Sequence, residues 1–140
     1  MNHVNDLSWM IGGPQGSGVD SAATPFARAA ATAGLHVFGN REYHSNIKGM
    51  HSYFRVRVSD RVVRSHLDPV HLLATFDRET AFLHSREVVA GGAILYDPTT
   101  VNPAELNRDD VQLLAVPYVD LVAEVAREFG RVGDAKKLIV

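Results

Sequence analysis

One segment narrows the possible folds more than any other. Leu7-Ser8-Trp9-Met10-Ile11 is a short apolar run, Gly12-Gly13-Pro14-Gln15-Gly16-Ser17-Gly18 follows it, and an alanine-rich stretch from Val19 to Ala33 comes next. An apolar run closed by glycines and followed by a helical segment reads as a buried strand entering a tight loop and then a helix. Gly34 is a good C-terminal stop for that helix. Pro25 removes the amide that would bond back to Ser21, so either the helix kinks there or Thr24 caps a new start with Pro25 as its first residue.

The same alternation continues along the chain. Leu35 to Phe38 predicts a second strand, and Gly39 to Ser52 a polar loop, of the length that is usually functional in compact domains. Tyr53 to Val58 alternates, with Phe54, Val56 and Val58 on one face and Tyr53, Arg55 and Arg57 on the other. A turn at Ser59-Asp60-Arg61 into Val62-Val63-Arg64 predicts a hairpin. Val70 to Phe76 reads as a strand, and Asp77 as the cap of a helix running to about Val89, with Arg78, Glu79 and Arg86 outward and Gly91-Gly92 after it. Ala93 to Tyr96 and Val111 to Val116 are further strands, with a helical turn from Pro103 to about Asn107 between them. Val119 to Phe129 is a helix whose Val122, Val125, Ala126 and Phe129 share a face. Strands alternating with helices predict an α/β fold: a three-layer α/β/α, Rossmann-like domain with a mostly parallel, mixed sheet including one hairpin. Residues 1–130 form one domain, and 131–140 a tail or the start of a linker.

Composition removes several classes of function. The 140 residues contain no cysteine, which excludes iron–sulfur ligation, thiolate zinc sites and cysteine nucleophiles within this chain. A formal charge of −2 gives no general attraction to nucleic acid, and no apolar run approaches a membrane span. The first residues lack a secretory core, so a cytoplasmic location is the default expectation. Charge is uneven: six basic residues against two acids between Arg41 and Arg64, and seven acids against two arginines from Asp97 to Glu128. Such runs are either solvated faces or, in the basic middle, a place for an anion or acidic partner.

The glycine loop suits phosphate or carboxylate, because a strand-to-helix turn exposes backbone amides at a helix N-terminus. It is not an ATPase loop, since Val19 and Asp20 stand where Lys and Ser or Thr would be needed, and an aspartate there would repel phosphate. It is also a poor dinucleotide fingerprint: Ser21 occupies the third glycine position and the second strand runs into Asn40 rather than an acid. A purely structural turn is the competing explanation. The seven histidines match no metal-ligand spacing, and Ser17 lacks the outer glycines of a nucleophile elbow. Two candidate surfaces remain, without a catalytic set: the Gly12–Gly18 loop and the Tyr43–Ser52 loop.

At those loops the chain resembles a known family. Met10-Ile11-Gly12-Gly13-Pro14-Gln15-Gly16-Ser17-Gly18-Val19-Asp20, then Phe38-Gly39-Asn40-Arg41-Glu42-Tyr43-His44-Ser45-Asn46-Ile47-Lys48-Gly49-Met50-His51-Ser52-Tyr53-Phe54, resemble the N-terminal gamma-type domain of 2-oxoacid:ferredoxin oxidoreductase alpha subunits. Ala74-Thr75-Phe76-Asp77-Arg78-Glu79-Thr80 continues the likeness.

The resemblance implies a component of a complex that oxidatively decarboxylates a 2-oxoacid such as pyruvate or 2-oxoglutarate, joins the acyl group to coenzyme A and passes two electrons through iron–sulfur clusters to ferredoxin. It implies no cofactor in this chain, with thiamine diphosphate, Mg and the clusters in partner domains of the alpha and beta parts. Cofactor or interface contact would fall on Gly12, Gly13, Gln15, Gly16, Gly18, Arg41, Tyr43, Ser45, Asn46, Lys48 and Gly49. Pro14 stands where related domains often have glycine or alanine, which removes an amide from the loop. Full alpha subunits continue for hundreds of residues, so the chain is expected to be inactive alone. The alternatives are a free-standing nucleotide- or coenzyme A-binding module and a purely structural interaction domain.

Overall fold

The computed structural model describes residues 6–43 and 49–128. Their elements run β1 (Asp6–Pro14), α1 (Val19–Thr32), β2 (His36–Tyr43), β3 (His51–Ser59), β4 (Val70–Thr75), α2 (Arg78–His84), β5 (Val88–Tyr96), β6 (Gln112–Ala115) and α3 (Tyr118–Glu128). The strands form one six-stranded sheet in the order β2-β3-β1-β4-β5-β6. β1, β4, β5 and β6 are mutually parallel, whereas β3 runs antiparallel to both β1 and β2.

Alternation along β1 divides the core in two, because successive side chains point to opposite faces. Met10 joins Val70, Leu73, Ala81, Val88, Ile94 and Tyr96 under α2. Trp9 and Ile11 join Val56, Val58 and Ala74 on the other face, where α1 supplies Val19 and Ala23, with Ala27 and Ala30 partly buried. Spacings of four, four and three place these α1 residues in one stripe. The helix is continuous through Pro25, so Thr24 caps no new start. It ends as the sequence predicts: Gly34 takes a φ of 88°, its amide donates to the Ala31 carbonyl, and the Leu35 amide donates to that of Ala30.

Several boundaries differ from the sequence reading. Tyr53–Ser59 does not pair with residues 62–64; both edges of β3 are taken, by β1 and β2, so no edge remains for a third strand. The hairpin is β2–β3 instead. Residues 60–69 are drawn across the α2 face by two arginines of β3: Arg57 donates to the Ser65 carbonyl and Arg55 to those of Leu67 and Asp68. The expected long polar loop shortens for the same reason, since Gly39–Tyr43 and His51–Ser52 are paired strand. An edge strand tolerates polar residues on both faces.

α2 is shorter than expected. Asp77 caps it, its side chain accepting from the Thr80 amide at 2.9 Å, but it ends at His84, passes through a 3₁₀ turn at Ser85–Glu87, and β5 already begins at Val88. Gly91-Gly92 therefore lies inside β5, not after a helix. The β4–β5 register shifts between Val70 and Leu72, and at that irregularity a Cβ on Gly92 would lie 2.7 Å from the His71 carbonyl oxygen. In α3, Ala126 is buried and Val122 half-buried, but Val125 faces outward at 47% exposure. Phe129 and the tail lie outside the described residues. No helix among the described residues is long and apolar enough to cross a membrane.

Asp97 joins β5 to α3. Its buried carboxylate accepts from the Thr99 amide at 2.8 Å, the Thr99 hydroxyl at 2.6 Å and the Val119 amide at 3.2 Å. Burial alone would push its pKa up, but the bonds from Thr99 and from the Val119 and Tyr118 amides outweigh that and hold it below the ordinary carboxylate value. A lowered folded-state pKa stabilises the fold above the unfolded value, near 4, and the contribution is lost as pH falls through the folded one. Asp97→Ala is expected to cost about 2 kcal/mol at pH 7 and to remove part of the wild-type loss of stability below about pH 4, measured by urea unfolding across pH.

Candidate functional site

The carboxyl ends of β1, β4, β5 and β6 share one edge of the sheet, the usual place for ligands in open α/β folds. The glycine loop lies there, between β1 and α1. Gly16 and Gly18 adopt φ of 93° and 92°, a left-handed conformation that side chains disfavour, and together they let the chain reverse into α1 with Gly18 as its N-cap. The Ser17 amide donates to the Pro14 carbonyl at 2.9 Å, closing the turn.

The two loops singled out from the sequence meet. The Gln15 amide donates to the Met50 carbonyl at 2.7 Å and the Gly49 amide to that of Gln15 at 3.2 Å, tying the glycine loop to the β2–β3 connection. Arg41 of β2 points to the α1 side of the sheet and forms an ion pair with Asp20 in the first turn of the helix. Its guanidinium carbon also lies 4.0 Å above the centre of the Tyr43 ring. Gly16, Gly18, Val19, Asp20, Ser21 and Arg41 line a cavity of about 150 Å³.

The expected site residues thus separate into groups. Gly16, Gly18 and Arg41 line the cavity, while Gln15 and Gly49 hold its two halves together. Tyr43 stands beside them, 44% exposed. Gly12 and Gly13 are buried beneath the loop and serve packing: a Cβ on Gly12 would come 2.6 Å from Thr80 Cγ2, and one on Gly13 2.9 Å from Phe76 Cβ. Ser45, Asn46 and Lys48 fall outside the described residues. Ser17 is buried with its hydroxyl unpartnered, which does not suit an accessible nucleophile.

Sequence reasoning missed Asp20 as the counter-charge of Arg41. The aspartate that argued against phosphate is neutralised by a residue 21 positions along the chain, on the strand beside the helix. The basic middle segment is likewise largely paired: Arg55 with Glu87, and Arg57 with Asp6. Also missed was a cluster on the α2 face formed by His51, Tyr53, Arg55, His84 and Glu87, whose members only the pairing of distant elements brings together.

Fold and site define a class: an α/β domain with a glycine loop at the carboxyl edge of a mixed sheet, and an arginine of the second strand paired with the first turn of the first helix. Residues 8–137 match the family described as Pyruvate ferredoxin/flavodoxin oxidoreductase, and the chain belongs to that family. It is 54% identical over 82 residues to the 2-oxoacid:ferredoxin oxidoreductase 1 alpha subunit of Sulfurisphaera tokodaii, an alignment covering 59% of this chain and 13% of that protein. Identity is 35% over 129 residues with the 2-oxoacid:ferredoxin oxidoreductase 1 alpha subunit of Aeropyrum pernix, covering 91% of this chain and 19% of that one. The chain therefore spans less than one fifth of the length of these relatives.

Solved structures show the same fold. A 2-oxoglutarate:ferredoxin oxidoreductase from Magnetococcus marinus, solved with 2-oxoglutarate, coenzyme A and succinyl-CoA bound, superposes with a TM-score of 0.77 at 24% identity, over 95% of this chain and 23% of that one. The gamma subunit of a keto/oxoacid ferredoxin oxidoreductase from Geobacter sulfurreducens superposes with a TM-score of 0.75 at 22% identity, over 95% of this chain and 71% of that subunit.

Proposed function

We propose that this chain is the gamma-type component of a 2-oxoacid:ferredoxin oxidoreductase working in the cytoplasm, and that the edge formed by the glycine loop and Arg41 faces coenzyme A. In that reaction a 2-oxoacid loses carbon dioxide, its acyl group passes to the thiol of coenzyme A, and two electrons leave for ferredoxin. A chain without cysteine provides no thiolates for an iron–sulfur cluster, and no group of three or more metal-ligating side chains occurs among the described residues. In this reading thiamine diphosphate, Mg and the clusters are held by partner domains, as the resemblance implies, and this chain acts by binding and orienting.

The observation that carries the reading is the cavity where the Gly16–Gly18 turn and Arg41 converge. Arg41 supplies a guanidinium for a phosphate oxygen, with Asp20 holding the side chain at the helix start until an anion displaces it. The Tyr43 ring adds an exposed aromatic surface beside that cation. Exposed apolar side chains on α3, Leu121 and Val125 one turn apart, favour a neighbouring protein domain.

Capture of the chain from extract of its native cell tests the assignment. An eluate that holds a thiamine-binding partner and reduces a viologen dye only with both 2-oxoacid and coenzyme A present supports it; a colourless, inactive chain alone overturns it. In the active complex, Arg41→Ala is expected to raise the KM for coenzyme A about tenfold, the loss of one charge-assisted hydrogen bond, with the KM for the 2-oxoacid little changed. An unchanged KM for coenzyme A removes Arg41 from the site. The competing reading, a free-standing coenzyme A or nucleotide module, predicts that the isolated chain's melting temperature rises with the logarithm of ligand concentration.

A further inference from the structure

Beneath the glycine loop, on the side of the sheet opposite α1, lies a line of polar side chains for which the proposed function has no use. His51 Nε2 and His84 Nε2 are 2.9 Å apart, and the two imidazoles are stacked with ring centres 5.1 Å apart. Both residues are buried. The far nitrogen of His84, Nδ1, lies 2.5 Å from Glu87 Oε1, and the Arg55 guanidinium donates to the other oxygen of Glu87. The far nitrogen of His51, Nδ1, lies 3.5 Å from the Thr80 hydroxyl.

Proton positions along this line are tightly constrained. The Glu87 carboxylate only accepts, so His84 Nδ1 carries a hydrogen. Two nitrogens 2.9 Å apart can share one hydrogen between them but cannot each carry one. His51 Nδ1 has a choice, since the Thr80 hydroxyl can donate to it or accept from it. The four ring nitrogens therefore hold two hydrogens, with Thr80 donating, or three, with Thr80 accepting. A fourth would set two N–H groups against each other.

We propose that the His51–His84 pair is a proton-limited switch: the folded chain accepts one proton on the pair, and a second parts the rings and frees α2 from β3. Tyr53 packs its ring edge against His84 at 4.7 Å between centroids, and burial pushes its phenol pKa up, partly offset by Arg55, so it remains neutral. Glu42 lies across from Tyr53 on β2, and Arg108, paired with Asp110, donates to the Ser85 and Val88 carbonyls behind the 3₁₀ turn.

Movement of α2 would reach the glycine loop directly. Thr80 packs against Gly12, and the amide of Phe76, beside the Asp77 cap, donates to the Gly12 carbonyl at 2.9 Å. Acid would thus loosen the end of β1 that carries the loop.

Two readouts on the full chain test this. Imidazole 15N NMR from pH 8 to 5 is expected to show His51 and His84 taking up one proton between them while the fold persists. Because the unfolded chain takes up two, the unfolding equilibrium constant should rise about tenfold per pH unit below about pH 6 on account of the pair. His51→Gln, which offers His84 an amide oxygen, should flatten that slope by about the same factor. Two full imidazolium rings in the folded chain, or equal slopes with and without His51, overturn the proposal. The NMR result decides it on the wild-type chain even if the variant fails to fold.

Discussion

Leu73→Ala is expected to destabilise the domain by about 3–4 kcal/mol, within the range for emptying a closed leucine site, and to lower its melting temperature by about 10 °C. Leu73 is fully buried in β4, one of the two central strands, with Met10 beside it on β1 and Ile94 beside it on β5. Ala81 of α2 belongs to the same cluster. With strands on both sides and a helix above, the backbone cannot collapse into the space, so the lost transfer energy and the cavity add. Leu114→Ala on the edge strand β6, where the side chain is 43% exposed, should change stability by less than about 0.5 kcal/mol. Guanidinium unfolding of both variants checks the contrast. A loss under about 1 kcal/mol at Leu73 would show that this face of the sheet is loosely packed.

Arg55→Ala should cost about 3 kcal/mol, the low end for breaking a buried ion pair, although nothing apolar is deleted from either core. Arg55 is 8% exposed on β3 and reaches three partners: the Glu87 carboxylate and the carbonyls of Asp68, at 3.0 Å, and Leu67, at 3.4 Å. Removing it leaves the two carbonyls without this donor and Glu87 without its guanidinium partner, and loosens the hold on residues 67–68 at the sheet face. If the charge left behind on Glu87 causes most of the loss, Arg55→Met with Glu87→Gln should be less destabilised than the sum of the single variants by more than about 1 kcal/mol. Strictly additive losses in that cycle would instead assign the cost to the two carbonyls.

These two sites differ in how visible they are before the chain folds. Leu73 lies in an apolar run and is recognisably core from pattern alone. Arg55 and Arg57 look like the solvated face of an alternating strand, and the sheet turns them inward because residues 60–69 cover that face and bring carbonyls and acids to them. The position of the hairpin is hidden for a related reason: local turn chemistry favours pairing across Ser59-Asp60-Arg61, but Asp6 of β1 and His36 of β2 both lie against Ser59. Helical periodicity carries α2 on to about Val89 because it does not reveal that Val88 pairs with Val70.

The sequence alone determined the features that depend on neighbours along the chain. Those are the strand, glycine turn and helix from Leu7 to Gly34, the Asp77 cap, the alternating strands, the α/β class and, through two specific motifs, the family. Each rests on φ angles, capping bonds or side-chain periodicity, which act over a few residues. Only the tertiary structure decided which residues meet across the sheet. Asp20 finds Arg41, Arg55 finds Glu87 and His51 finds His84 because strand order and register, set by burying both faces of β1 at once, bring those side chains within bonding distance.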